Sequence, residues 1–389
     1  MITVDEALEK LLALAAPLEV EDVPLRAASG RTLARPVTAR RDQPPFSASA
    51  MDGYAIAGEG APGDQYRVIG EAAAGHGYAG AVGPGEALRI FTGAPMPEGA
   101  TRVVIQEDTV RDGTTITLSE TLGHGPHVRA MGADFRAGDT LDAPRVLTPS
   151  DVALMAAMNI AAAPVTRRPE VAIIATGDEL VQPGEDPGPD QIIASNSYGL
   201  AALVEALGAE ARLLPIARDT LASLQAIFDL AEGADLILTI GGASVGDHDL
   251  VGPALADRGM ERAFYKVAMR PGKPLMAGRL GSAALVGLPG NPVSAMVCGH
   301  VFVAPVVRAM LGQRTVVTTP EPRTLAAPLP ANGPRQHYLR ARTTQAGVTP
   351  FDTQDSSLLS VLSEADCLII QPPNDPGRPS GATVPVLAL

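Results

Sequence analysis

Leu8, Leu11, Leu12 and Ala15 recur at helical spacing behind Thr3 and Glu6, which have the spacing of a capping box, so an amphipathic helix over residues 4–16 is predicted. From residue 37 to about 142 the pattern changes to short apolar runs cut by Gly, Pro and Asp-Gly turns. Among them RVVIQEDTV and TTITL read as a hairpin joined across Arg111, Asp112 and Gly113. Thr148, Pro149 and Asp151 then open a second helix, DVALMAAMN, with proline in its first turn. After Arg167, Arg168 and Pro169 apolar runs alternate with amphipathic ones: VAIIA, SYGLAALVEALG, ARLLPIA, TLASLQAIFDLAEG, DLILTI. That alternation predicts βαβ units and a parallel sheet covered on both faces, continued by AALVGL and VSAMVCGHVFVAPVVRAML to about Gly312. Beyond Thr315 short alternating runs return, predicting a small β domain with one short helix near SSLLSVLSEAD.

Composition narrows the function. The chain has 389 residues, 46% of them apolar and 19% charged, enough for more than one core. Its net charge of -13 repels a phosphate backbone and argues against a nucleic-acid partner, so an anionic ligand needs a local exception to that field. Lysine occurs only at Lys10, Lys266 and Lys273, and two of these share the segment YKVAMRPGKP. Cys298 and Cys367 form neither a disulfide framework nor a metal-ligand spacing, and MITVDEALEK lacks the features of a signal peptide, so a cytoplasmic setting is expected. Residues 280–307 carry no charge over a length that spans a bilayer. Pro289, Gly290, Asn291 and Pro292 interrupt them, so a buried strand, a turn and a buried helix are predicted, with no membrane.

In a doubly wound sheet ligands bind at the carboxyl ends of the strands. Here VAIIA runs into Thr176, Gly177, Asp178 and Glu179, ARLLPIA into Arg218 and Asp219, and DLILTI into Gly241, Gly242, Ala243, Ser244, Val245, Gly246, Asp247, His248 and Asp249. Such residues also serve as helix N-caps, but three consecutive loops ending in acid favour a site. The Gly-rich loop offers backbone N–H groups to an anion, as does the helix start in GLPGNPVSA, where ordinary turn chemistry with proline at the first position is the alternative. Lys266, Arg270 and Lys273 bring cations to the same region; Pro271 and Pro274 fix the backbone between them, against a merely solvated cluster. In the first half PPFSASAMDGYA, FTGAPMPEGA and HVRAMGADFRAGD are aperiodic loops carrying Asp52, Thr92 and Asp134, each of which alone reads as a turn. The histidines are scattered singly, and only His248 lies in a candidate site.

SAMDGYA, TGAPMPEGA, TGDEL, GGASVGDHD, PGKP and GLPGNPVSA, in this order over nearly the whole chain, closely resemble the bacterial molybdopterin molybdenumtransferases and the E domain of gephyrin. The resemblance implies an elongated four-part subunit: an α/β molybdopterin-binding-like domain (1–18 and 168–315), a connecting domain (19–37 and 138–167), a β-rich domain carrying SAMDGYA (38–137) and a carboxy-terminal β-barrel-like domain (316–389). It also implies a homodimer, Mg²⁺, and insertion of molybdate into adenylylated molybdopterin with release of AMP. Transient partners would be the molybdopterin adenylyltransferase and molybdoenzyme acceptors. By the same resemblance Asp52, Thr92, Asp134, Glu179, Asp219 and Lys266 are catalytic, Asp52, Thr92 and Asp134 approaching from the partner subunit. Gly241, Gly242, Ser244, Gly246, Arg270, Lys273, Pro289, Gly290, Asn291, Pro292, Ser294 and Arg340 bind substrate, and Glu179, Asp247 and Asp249 hold the metal. Hard carboxylate oxygens suit Mg²⁺.

Three positions depart from the family pattern: Arg270 stands where lysine is common, MGADF where many members have Gly-Glu-Asp, and Ala243 where valine is usual. Arginine binds an oxyanion as a fork and not as a point charge, which leaves tungstate selectivity as an alternative. An adenylyltransferase, disfavoured by the SAMDGYA domain and the β tail, and a dimeric scaffold are the other two.

Overall fold

The computed structural model describes residues 1–242 and 250–389. Its central sheet has six strands, in the order Glu210–Leu213, Glu170–Ala175, Leu236–Ile240, Ala283–Leu288, Met276–Leu280, Glu261–Tyr265. The first four run parallel, as the alternation predicts; the last two pairings, Met276–Leu280 with Ala283–Leu288 and with Glu261–Tyr265, are antiparallel. The sheet is therefore mixed. Only Gly281 and Ser282 separate Leu280 from its partner Ala283, a connection too short for a crossover helix, so these strands form a hairpin.

Side chains alternate along each parallel strand and so build two cores. Val171 and Ile173, Leu236 and Leu238, and Val286 and Leu288 face one layer with the helices Val4–Leu12, Ser195–Ala206 and Pro292–Cys298. Ala172, Ile174, Ile237 and Leu285 face the other, against Leu221–Leu230 and Val251–Asp257. The uncharged stretch resolves into the buried strand Ala283–Leu288 and the helical segment Pro292–Met310. By length and composition that segment could cross a membrane, but it is mostly buried inside the protein, as a core helix is. A π turn, Gly299–Val303, falls just before Pro305, whose missing N–H interrupts the helical ladder.

The first helix has the expected capping box, Thr3 with Glu6, but ends at Leu12 and not near residue 16. Leu14 and Ala15 close tighter turns onto Leu11 and Leu12, Arg279 donates to the Leu14 carbonyl at 2.9 Å, and Pro17 disfavours helical geometry at Ala16. The helix Pro149–Ala157 is capped by Thr148 and Asp151, as its sequence predicts.

Residues 20–166 form an arm. Its base is an antiparallel sheet ordered Val20–Pro24, Ala162–Thr166, Thr32–Leu33, Arg145–Val146; its outer part is a six-stranded sheet around Gly53–Ile56 and Glu86–Ile90. The run RVVIQEDTV is not one strand. A 3-10 turn, Gln106–Asp108, splits it, so that Arg102–Ile105 pairs with Gly53–Ile56 while Thr109–Asp112 makes the hairpin with Thr115–Leu118, turning at Gly113 and Thr114. The chain enters and leaves the arm on adjacent strands, Val20 opposite Thr166. Arg167 clasps that crossing: both terminal nitrogens donate to the Asp235 carboxylate at 2.7 Å, and Nε donates to Glu19 at 2.7 Å.

The last sheet comprises Glu321–Thr324, Gln336–Thr344, Gly347–Pro350, Cys367–Gln371 and Thr383–Ala388, with the helix Leu359–Glu364. Met269–Arg270 joins it in parallel to Gln336 and His337, which ties the α/β unit to the carboxy-terminal sheet.

Candidate active site

The parallel strands end level with one another, because Ala175, Ile240 and Leu288 are in register. Thr176, Gly241 and Pro289 therefore stand side by side at the carboxyl edge, where the Thr176 N–H donates to the Ile240 carbonyl and the Gly241 N–H to that of Leu288. They line a cavity of about 490 Å³ together with Glu179, Ser195, Asn196, Pro274, Gly290, Asn291 and Pro292. The Glu179 loop is stitched to the opposite wall: Ile192 donates to the Glu179 carbonyl at 2.8 Å, and Leu180–Val181 pairs with Ile192–Ile193. Arg218 clamps this loop from behind by donating to the Asp178 carbonyl at 2.9 Å, and the Asp219 N–H donates to the Asp178 carboxylate at 3.1 Å. The exposed Glu179 carboxylate accepts no protein hydrogen bond or ion pair among the described residues, and so is available to a ligand at the cavity.

Asn196 Nδ2 donates to the Gly290 carbonyl at 2.7 Å and fixes the turn before the Pro292–Cys298 helix. Ser195 and Asn196, at the start of the helix Ser195–Ala206, lie just before the run SYGLAALVEALG and were given no role from sequence. Their signal was small polar side chains directly before an apolar helical run. Ser294 is buried in the first turn of the Pro292–Cys298 helix.

The cationic strap follows the strand Glu261–Tyr265. Lys266 adopts a left-handed backbone (φ 68°), its N–H donating to Leu275 and its carbonyl accepting from Ile2, and its ammonium lies 5.0 Å from the Tyr265 ring centre. Arg270 and Lys273 are exposed, and Pro274, next in the chain, touches the cavity. Gly272 is required here: its φ is 109°, and a Cβ would lie 2.5 Å from the Cys298 sulfur on the Pro292–Cys298 helix. Burial pushes the Cys298 thiol up, which leaves it a packing group. Arg335, unnoticed in the sequence, donates to the Met269 carbonyl at 3.4 Å. Burial, with Arg270, Arg335 and Arg340 nearby, holds His337 down to about 4, so it is neutral at neutral pH. Arg340 is 1% exposed and does not line the cavity. Asp219, Lys266, Arg270, Lys273 and Ser294 do not line it either.

On the arm the structure brings two of the three loops into direct contact. Asp52 accepts hydrogen bonds from the Thr92 N–H and hydroxyl, both 2.8 Å, and these bonds, helped by Arg89, hold its carboxyl below the usual range. Gly53 follows because a Cβ there would lie 2.0 Å from the Val104 carbonyl oxygen across the strand pair. Gly93 donates to the Ser49 carbonyl and Met96 to that of Ser47, which zips SAMDGYA to TGAPMPEGA. Asp134 is exposed in a neighbouring loop, its N–H donating to Gln43 just before that segment. None of Asp52, Thr92 and Asp134 lines the Glu179 cavity of the same chain. Gly242 is the last residue described before the break; Ala243, Ser244, Gly246, Asp247, His248 and Asp249 lie outside the described residues. Among the described residues no group of three or more His, Cys, Asp and Glu could hold a metal ion.

The MoeA N-terminal region (domain I and II) matches residues 2–159, a probable molybdopterin binding domain matches 172–309, and the MoeA C-terminal region (domain IV) matches 322–389. The molybdopterin molybdenumtransferase of Nostoc sp. is 40% identical over 76% of this chain and 70% of its own. That of Haemophilus influenzae is 33% identical over 99% and 98%. The crystal structure of a molybdopterin biosynthesis MoeA protein from Pyrococcus horikoshii OT3 superposes over 100% of both chains with a TM-score of 0.86 at 27% identity. The chain thus belongs to the molybdopterin molybdenumtransferase (MoeA) family, transferases of molybdenum cofactor biosynthesis.

Proposed function

We propose that this protein inserts molybdate into adenylylated molybdopterin with release of AMP, requires Mg²⁺, and works in the cytoplasm as a homodimer in which Asp52, Thr92 and Asp134 of one protomer face the Glu179 cavity of the other. The observation that carries this reading is that cavity. It opens at the carboxyl edge of the parallel strands and is lined by Thr176, Ser195, Asn196, Gly241, Gly290 and Asn291. Hydroxyl, amide and backbone groups of this kind suit a phosphate-bearing ligand, and a strap with Arg270 and Lys273 adjoins them at Pro274. In a chain of net charge -13 those cations supply the local exception that an anionic substrate needs.

The donor chemistry fits Mg²⁺: the Glu179 carboxylate is a hard oxygen donor without a protein partner among the described residues. Glu179 would hold the ion, with Asp247 and Asp249 assigned to it from sequence alone. When bound, Mg²⁺ supplies charge neutralisation at phosphoryl oxygens. The residues of the chain position the rest: Asn196 holds the Gly290 turn, Arg218 holds the Glu179 loop, and Thr92 holds the Asp52 carboxylate.

The test is AMP release from adenylylated molybdopterin with magnesium, comparing molybdate with tungstate. Release should stop in excess chelator. Mixing Asp52→Ala with Glu179→Ala chains should restore activity through hybrid dimers with one intact site. Full activity in a monomer, or release that ignores both molybdate and chelator, would refute the proposal.

A further inference from the structure

Arg89 stands three residues before Thr92 and, in the pairing of Glu86–Ile90 with Gly53–Ile56, opposite Tyr54, which is two residues after Asp52. The side chain is half-buried, and its guanidinium carbon lies 5.0 Å from the Tyr54 ring centre and 4.8 Å from that of Phe91. A guanidinium resting over ring faces keeps its donors in its own plane. Here they reach neutral acceptors beside Asp52: one terminal nitrogen donates to the Gly53 carbonyl at 3.3 Å, the other to the Gln106 side-chain oxygen at 2.7 Å. The Gln106 N–H in turn donates to the Asp52 carbonyl at 3.0 Å. Gly53, Tyr54 and Gln106 thus tie Arg89 to the backbone that carries Asp52, and Phe91 ties it to the residue before Thr92. One side chain joins the two loops that meet in the Asp52–Thr92 pair.

That pair needs such a support. Asp52 and Thr92 are both exposed, and ordering two exposed side chains against each other costs rotamer freedom that a hydrogen bond in water barely offsets. Arg89 makes no ion pair among the described residues, although Glu71 stands beside it on the neighbouring strand Gln65–Ala72, so its charge is left to act on the Asp52 carboxylate. Lysine would keep the charge but offer a single point in place of a fork.

We propose that Arg89 is a positioning residue for the arm half of the site: it locks SAMDGYA to TGAPMPEGA so that Asp52 and Thr92 present one fixed arrangement to the substrate. This rests on the reading of Asp52 and Thr92 as site residues and adds a residue that no pattern in the sequence singled out.

The experiment uses the full chain and two readouts. Hydrogen exchange at the Thr92 amide, measured without substrate, reports the pair directly; turnover in AMP release reports its consequence. Arg89→Met keeps an apolar chain over the rings and removes the charge and the donors. It should speed Thr92 exchange and lower turnover by about tenfold each, the size of one lost hydrogen bond, and Arg89→Lys should recover both in part. In Asp52→Ala, where the acceptor is gone, adding Arg89→Met should leave Thr92 exchange where Asp52→Ala put it. If Arg89→Met does not fold, Gln106→Ala at an exposed position, which removes one acceptor of the guanidinium, should shift both readouts in the same direction. Native Thr92 protection in Arg89→Met would overturn the proposal, as would faster exchange with wild-type turnover, or the same acceleration with and without Asp52. Full turnover in Asp52→Ala would remove the pair from the site and the proposal with it. Absence of AMP release in the wild-type protein would sink the proposed function, while the exchange cycle would still decide whether Arg89 holds the pair.

Discussion

Gly272→Ala tests how the cationic strap is held. At φ 109° an alanine sits outside the regions that side chains adopt, at a cost of about 1–3 kcal/mol. Its Cβ would also lie 2.5 Å from the Cys298 sulfur and 3.1 and 3.2 Å from the end of Met269. Met269 is flexible and can give, but Cys298 is fully buried on a helix that starts at the cavity, so overpacking adds about 1–3 kcal/mol. Together the substitution should cost about 4 kcal/mol, read from the urea midpoint, and should raise half-saturating molybdate because Lys273 is the next residue. Cys298→Ala in the same chain removes the clash but not the backbone strain. The coupling in the double-mutant cycle should therefore recover about 1–3 kcal/mol. A Gly272→Ala protein within about 0.5 kcal/mol of wild type, or a cycle with no coupling, would show that the strap does not rest on Cys298.

Asp235→Ala should cost about 2–3 kcal/mol in urea unfolding, because it strips two charge-assisted bonds from Arg167 and leaves the Glu170 N–H unpaired; the Arg167 side chain is 36% exposed, and water moderates the loss below that of a fully buried pair. Burial raises the Asp235 carboxyl, but the Arg167 bonds, the Glu170 amide and the Arg167 charge outweigh it and the net direction is down. Its stabilisation is full above the ordinary carboxylate value of about 4 and is lost as pH falls through the lower folded value, so Asp235→Asn should flatten the acid limb of the stability curve; an unchanged limb would refute the clasp. For His337, held down to about 4, the unfolded chain takes up the proton first, so stability should fall as pH drops from about 6.5 towards 4, by on the order of 3 kcal/mol in full. His337→Gln should remove that slope in urea midpoints measured between pH 7 and 5, and an identical slope would place the titration elsewhere.

Elements whose signal is local were legible in the sequence. Thr3 with Glu6 and Thr148 with Asp151 mark helix starts within a single turn, and the structure has both capping boxes. The buried runs VAIIA, DLILTI and AALVGL become strands because their apolar side chains are wanted on both faces. What failed was what depends on a distant partner. RVVIQEDTV has strand composition throughout, and only its pairing with Gly53–Ile56 on one side and Thr115–Leu118 on the other decides where it breaks. The antiparallel strands escaped notice because hydrophobic periodicity carries no direction. At the site, polar residues after apolar strands announced Glu179 and the Gly290 turn, whereas the Ser356 hydroxyl, which accepts from Asn291 in that turn, comes from far along the chain and carries no local signal.

The seam that Met269–Arg270 makes with the carboxy-terminal sheet explains why the strap and that sheet belong to one mechanical unit. Residues 266–274 are bonded to Ile2 at the start of the chain, to Gln336 and His337 through a two-residue parallel ladder, and to Cys298 through the close approach of Gly272. Burial first, and then the charges of Arg270, Arg335 and Arg340, hold His337 down, and positive charge gathered in this way lowers stability. A fold that only needed to join two sheets would place apolar side chains there, as it does elsewhere in the same core with Val267, Met269 and Tyr338. Under the proposed function, an anionic substrate bound at the adjoining cavity would relieve this positive charge. The field that costs the free protein stability would then be the field that draws the ligand, and binding should rigidify the strap and the Asn291 turn together.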